Sequence, residues 1–252
     1  MKSRRSRRSI LRPRPLQEYT EALIILFWDI DGTLITTGRA GLLAWEDACR
    51  FVTGQSLDFQ TLKTDGLTDH QVAVRILEEA GHSIDEHVLR RMVSVYERQL
   101  PERLPLRKGR VLDGVRESLE HLRPRRDVHS MLLTGNTERG ARAKLTHYEL
   151  TEFFEGGAFS TDAGPRSQIA ERALRLVRTR FPEAAIEPGH VYVIGDTPHD
   201  IDCARAVGAR AIAVASGVYR SDALRVHGAW RVLDRIPQPD DFIALIETPD
   251  GR

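Results

Sequence analysis

Short, continuously apolar runs alternate along this chain with longer segments of helical period, and few architectures satisfy that alternation. It predicts an α/β protein built on a central parallel sheet. The strand candidates are Leu23 to Trp28, Val128 to Leu133, Val191 to Ile194, Ala211 to Ala215 and the weaker Trp230 to Leu233. Three polar endings, "WDID", "LLTGN" and "VIGD", follow the first three runs. Ligands of open parallel sheets bind beyond the carboxyl ends of the strands, so these endings are expected to converge on one site.

Between Gly38 and about Arg107 no strand pattern occurs. Helical segments are expected around Ala40 to Phe51, Thr68 to Ala80 and Asp85 to Gln99. A helical block inserted after the first strand suggests a separate cap over residues 38–107, with the α/β core formed by 18–37 and 108–252. "VLDGVRESLEHL" reads as the helix that returns to the core, with Asp113 near its start.

The chain has 252 residues, 41% of them hydrophobic, enough for a sizeable core. Its two cysteines, Cys49 and Cys203, have neither CxxC nor metal-ligand spacing, which fits a reducing cytoplasm. No apolar run approaches the ~20 residues of a membrane span. Seven basic residues between Lys2 and Arg14 precede the first acid, Glu18. Residues 1–17 therefore read as a solvated, disordered tail rather than a nucleic-acid arm.

Asp29 and Asp31 lie two apart, which in a continuing strand would put both on one face. Paired carboxylates resist burial unless they share a cation or a proton, and a hard divalent metal such as magnesium meets that need. The alternative is an aspartate-rich turn. In "VIGDTPHDIDCARAVGA", Asp196 follows a strand, while Asp200 could be a helix N-cap and Asp202 a solvated first-turn acid. Capping leaves Asp196 unexplained, and the combined carboxylates make a site too negative to stand without a cation. In "LLTGNTERG", the Thr134 hydroxyl and the backbone N–H groups around Gly135 and Asn136 suit a phosphate oxygen at a helix start, or the stretch Thr134 to Thr137 merely caps that helix. Together the endings favour metal-assisted phosphoryl transfer.

"DIDGTLI", "LLTGN" and "IGDTPHDIDCA", in this order, resemble the haloacid dehalogenase-like hydrolases, specifically the phosphoglycolate phosphatase-like branch with a helical cap after the first motif. The resemblance spans about Leu23 to Gly217 and implies a Rossmann-like three-layer core. It implies a phosphatase that hydrolyses a small phosphorylated metabolite, phosphoglycolate by default, with Mg2+ as cofactor. Asp29 would be the nucleophile and Asp31 the general acid and base. Magnesium would be held by Asp29, the Asp31 carbonyl and Asp196, with Asp200 in support, and Thr134, Gly135 and Asn136 would hold the phosphoryl group. True dehalogenases lack the second aspartate, whereas a sugar phosphomutase keeps it and stays open. So does a non-catalytic interaction protein that uses the basic arm.

The family's lysine near the phosphate is replaced here. Arg166 in "FSTDAGPRSQIAERAL" takes its place, and its fork suits phosphate oxygens. Lys144 is the alternative cation, but its position in "RGARAKLTHY" predicts a solvated surface lysine. In "GLTDHQVAVRIL" Thr68 is expected to cap a helix with Asp69 as its first-turn acid. Trp28 and Trp45 read as packing residues, and the histidines show no metal-ligand spacing.

Overall fold

A computed structural model of the chain describes residues 23–248 apart from 60, 61, 63 and 65. The basic tail at 1–17 lies outside the described residues. In chain order the elements begin β1 (Ile24–Trp28), β2 (Ile35–Thr36), α1 (Ala40–Thr53), α2 (Asp69–Glu79), α3 (Glu86–Arg103), β3 (Arg110–Val111), α4 (Val115–Leu122) and β4 (Val128–Leu133). They continue with α5 (Glu138–His147), β5 (Gly157–Ala158), α6 (Arg166–Arg180), β6 (Val191–Gly195), α7 (Pro198–Ala206), β7 (Arg210–Val214), α8 (Ser221–Val226), β8 (Arg231–Leu233) and α9 (Pro239–Glu247).

Every residue of β1 is buried, as a strand covered on both faces must be. The parallel sheet has six strands in the order β5-β4-β1-β6-β7-β8. Side chains alternate across β1. Ile24, Leu26 and Trp28 join one core layer with residues of α1 to α5 and α9, while Ile25 and Phe27 join the other with α6, α7 and α8. This is a Rossmann-like α/β fold. The chain runs outward from β1 through β4 to β5, then returns to β6 on the opposite side, so the direction reverses between β1 and β6. That reversal is where an open sheet leaves a crevice.

Trp28 is in register with Leu132 and with Ile194. Asp29 is therefore level with Leu133 and Gly195, and Thr134 and Asp196 follow one residue further along the neighbouring strands. Short β5 and the antiparallel pair of β2 with β3 are additions to the expected strands. The returning helix starts two residues after Asp113. Gly114 is its N-cap with φ 79°, and a Cβ there would collide with the Ile236 carbonyl. Asp113 consequently stays outside the helix and pairs with Arg110.

Helices α1, α2 and α3 follow β2 and precede β3. Trp45 of α1 stacks on Tyr96 of α3 at 3.9 Å between ring centroids. Trp28 packs against Phe242 and donates its indole N–H to Ser130. Among the described residues no helix is long and apolar enough to cross a membrane.

Candidate active site

The polar ends of β1, β4 and β6 open into a cavity of about 460 Å³. Asp29, Asp31, Asn136, Lys144, Arg166 and Asp196 border it from the core, Ser216 to Tyr219 form one side, and Arg39, Trp45, Asp69 and Tyr96 border it from the inserted helices.

The sheet ladder still holds Asp29, whose N–H donates to the Ile194 carbonyl at 2.9 Å. The residue is only 4% exposed. Burial raises its pKa to about 6 against the opposing pull of Arg166, and Asp200 and Asp31 push the same way as burial. β1 ends at Trp28 and the chain turns at Gly32 (φ 80°), so the strand period does not carry through to Asp31, yet both acids reach the cavity. A Cβ on Gly32 or on Gly217 would overlap the Asp196 carboxylate. Those glycines form the cradle in which Asp196 lies.

Asp196 is also buried and accepts from the Thr33 hydroxyl at 3.4 Å. Burial, followed by repulsion from Asp200 and Asp29, raises its pKa to about 9. Ligand oxygens of Asp29, Asp196 and Asp200 all lie within 4.8 Å of one another. Such a buried acid group must take up a proton or a cation, and an all-oxygen donor set fits a hard divalent ion.

Asp200 is not the N-cap of α7. That position belongs to Thr197, whose N–H and hydroxyl both donate to Asp200 Oδ2 at 3.0 and 2.7 Å. Asp200 Oδ1 accepts from Arg166 at 2.6 Å. With both oxygens engaged, Asp200 is better placed to orient Arg166 than to be a free ligand. Asp202 is an exposed acid paired with Arg205.

Lys144 overturns the expectation of a surface lysine, being only 4% exposed. It lies on the inner face of α5 with Gly140, Ala141 and Leu145. Its ammonium donates to Asp31 Oδ2 and to Asn136 Oδ1, each at 2.5 Å. The Asn136 amide donates in turn to Asp31 Oδ2 and to Thr134 Oγ1, each at 2.8 Å. Gly135 and Asn136 border the cavity, whereas Thr134 is fully buried and supports Asn136. Within the expected capping stretch Thr134 to Thr137, it is Thr137 that caps α5.

Arg166 opens α6 and is buried. It contacts Asp29 Oδ2 at 3.2 Å as well as Asp200. Burial pulls its pKa down, but the two carboxylates outweigh that and hold it protonated. Arg166 and Lys144 thus both belong to the site, one against each of the first two acids.

Asp69 is a first-turn acid behind the Thr68 cap, as expected, but it is not solvated. Its carboxylate accepts from the Thr137 N–H at 2.7 Å, and its own N–H donates to the Gly135 carbonyl at 2.8 Å. Burial raises its pKa to about 6 despite Lys144. Next to it, His70 Nδ1 lies 2.8 Å from the Ser160 hydroxyl. The start of α2 is thereby fastened to the loops that carry Asn136 and Arg166. An acid inside a "GLTD" turn gives no sequence signal of that docking.

The family model for haloacid dehalogenase-like hydrolases matches residues 25–214. The chain belongs to that family of hydrolases. Solved structures share the fold at low identity. A hydrolase from Pseudomonas syringae is 20% identical with a TM-score of 0.66, covering 88% of this chain and 99% of that one. CbbY from Rhodobacter sphaeroides, solved in complex with phosphate, is 15% identical with a TM-score of 0.68 over 85% of this chain and 95% of its own. A protein assigned as a beta-phosphoglucomutase from Thermotoga maritima is 19% identical with a TM-score of 0.58 over 89% and 99%. No curated protein matches the sequence.

Proposed function

We propose that the protein is a magnesium-dependent phosphatase that hydrolyses a small, phosphoglycolate-like phosphate monoester through an aspartyl-phosphate intermediate. The observation that carries this reading is the division of labour between the first two acids. Asp29 is buried against Arg166 and Asp196, whereas the Asp31 side chain is 44% exposed and held by Lys144 and Asn136. A fixed, shielded carboxylate suits a nucleophile, and a tethered carboxyl at the cavity suits proton exchange with an alcohol or water.

In this reading an Asp29 carboxylate oxygen bonds to phosphorus while the ester P–O bond breaks, and the departing alkoxide takes its proton from Asp31. Asp31 then removes a proton from water, whose oxygen attacks the same phosphorus and releases phosphate and the Asp29 carboxylate. Arg166, Lys144 and the N–H groups at Gly135 and Asn136 hold the phosphoryl oxygens. Magnesium, when bound by Asp29, the Asp31 carbonyl and Asp196, neutralises charge on the transferring group. Residues 38–107 act as a cap over the core of 18–37 and 108–252, and exclude water during transfer. Two free buried cysteines, Cys49 and Cys203, accord with work in the cytoplasm.

The test is phosphate release from a panel of small monoesters, with and without magnesium, for wild type and Asp29→Asn. Magnesium-dependent release that the substitution abolishes supports the reading, and retained release in the variant overturns it. A sugar phosphomutase would use the same residues, and likeness to the Thermotoga fold favours keeping it as the second reading. It would return the phosphoryl group to the sugar instead of freeing it.

A further inference from the structure

Arg39 sits at the start of α1 with φ 72° and ψ 16°. Among the described residues, the other non-glycine with positive φ is Glu149. The left-handed region strains an L side chain, whose Cβ comes too close to the following carbonyl oxygen. Two further features make arginine a poor local choice. As N-cap it makes no side-chain hydrogen bond to the first turn, and that turn contains no acid. A cationic residue therefore occupies the positive end of a 14-residue helix. Local rules broken together at one position point to a demand from elsewhere.

The cavity indicates that demand. Three basic residues border it among the described ones, and two are already engaged: Lys144 on Asp31, Arg166 on Asp29 and Asp200. Arg39 is exposed, and no carboxylate among the described residues pairs with it. It enters the cavity from the inserted helices, beside Leu42 and Trp45, while the phosphate-holding groups belong to the core.

We propose that Arg39 is a specificity-determining residue that receives a second anionic group, carried on the alcohol part of the substrate. The preferred substrates are then phosphate monoesters that end in a carboxylate or a second phosphate. The guanidinium fork recognises either group through paired N–H donors. The inference rests on the phosphatase reading for the position of the scissile phosphate.

The experiment compares three two-carbon esters that differ only at the far end: phosphoglycolate, ethylene glycol monophosphate and ethylene glycol bisphosphate. In wild type, kcat/KM for at least one of the two anion-ended esters should exceed that for the hydroxyl-ended ester by about tenfold or more. In Arg39→Gln that ratio should fall below about threefold, with the hydroxyl-ended ester itself changed by less than about threefold. The larger of the two wild-type ratios identifies carboxylate or phosphate as the favoured group. Loss of all three activities in parallel, or an unchanged preference, overturns the proposal. Arg39→Gly is the control for folding: it relieves the left-handed strain, so its Tm should not fall while the preference still disappears.

Dissociation constants of the same esters are measured by calorimetry with magnesium on Asp29→Asn and on the Asp29→Asn/Arg39→Gln double variant. If wild type hydrolyses none of the three esters, the phosphatase reading fails and binding alone decides for Arg39. Tighter binding of an anion-ended ester, lost in the double variant, sustains the role of Arg39. Equal binding of all three, or a preference that survives in the double variant, overturns it.

Discussion

Lys144 Nζ and Asp31 Oδ2 are 2.5 Å apart, joining the middle of α5 to the turn that follows β1. The ammonium also fixes the Asn136 amide, so a single cation orients two groups that face the cavity. Lys144→Met preserves the buried stem and removes the charge. Phosphate release should fall by ~100-fold or more, the usual contribution of a positioned proton donor. Lys144→Arg should recover only part of it, because a planar fork cannot replace a point charge between two acceptors. Steady-state kinetics beside circular dichroism separate this outcome from unfolding.

Acid–base linkage tests the proposed metal requirement without turnover. The folded-state pKa of Asp196, about 9, lies far above the ordinary 3.8, and that of Asp29 is raised to about 6. A carboxyl raised by folding contributes stability at low pH and loses it as pH climbs to the folded value. Between pH 7 and 9 Asp29 has finished titrating while Asp196 has not. Chelator-treated protein should lose up to roughly 1.4 kcal/mol per pH unit across that interval. Magnesium should abolish the slope by holding the carboxylate ionised, and scanning calorimetry at pH 7, 8 and 9 reads both effects.

Gly217 leaves no room for a side chain beside Asp196. Gly217→Ala should push that carboxylate out of its cradle and weaken magnesium binding by about tenfold or more, since misplaced ligands and their supports cost metal affinity on that scale. Magnesium titration followed by Tm gives the affinity directly.

Asp69 is the most direct tie between α2 and the loop at Gly135 to Thr137. Asp69→Ala leaves the Thr137 N–H without its partner, a loss of about 1–3 kcal/mol for a buried donor. Urea unfolding should register that loss. KM should rise along with it, because the same docking positions Arg39, Trp45 and Tyr96 around the cavity.

The sheet was readable in advance because β1, β4, β6 and β7 are buried and apolar along nearly their whole lengths. Periodicity says little about two-residue strands, so Gly157–Ala158 and the β2–β3 pair carried no signal. The acids at the ends of β1 and β6 were equally plain, since charge after a buried strand is conspicuous. Lys144 lies in a polar, basic helix, "RGARAKLTHY", and that setting points to a solvated lysine. Its helical spacing from Ala141, and its adjacency to Leu145, places it on the buried face, which is the signal that was there to use. Asp69 and Asp200 were legible as helix-start acids but not as partners, because what they touch lies 68 and 34 residues away, at Thr137 and Arg166. Nothing periodic links such positions.

Thr36 and Arg110, which flank the inserted helices, are paired neighbours in the β2–β3 ladder. The excursion through α1, α2 and α3 therefore begins and ends at one point on the core. Evolution can lengthen, shorten or exchange such a loop without rethreading the sheet, so the helices that border the cavity can drift while the acids at the strand ends stay put. One catalytic chassis can in this way serve many metabolites, with the inserted helices as its interchangeable fitting.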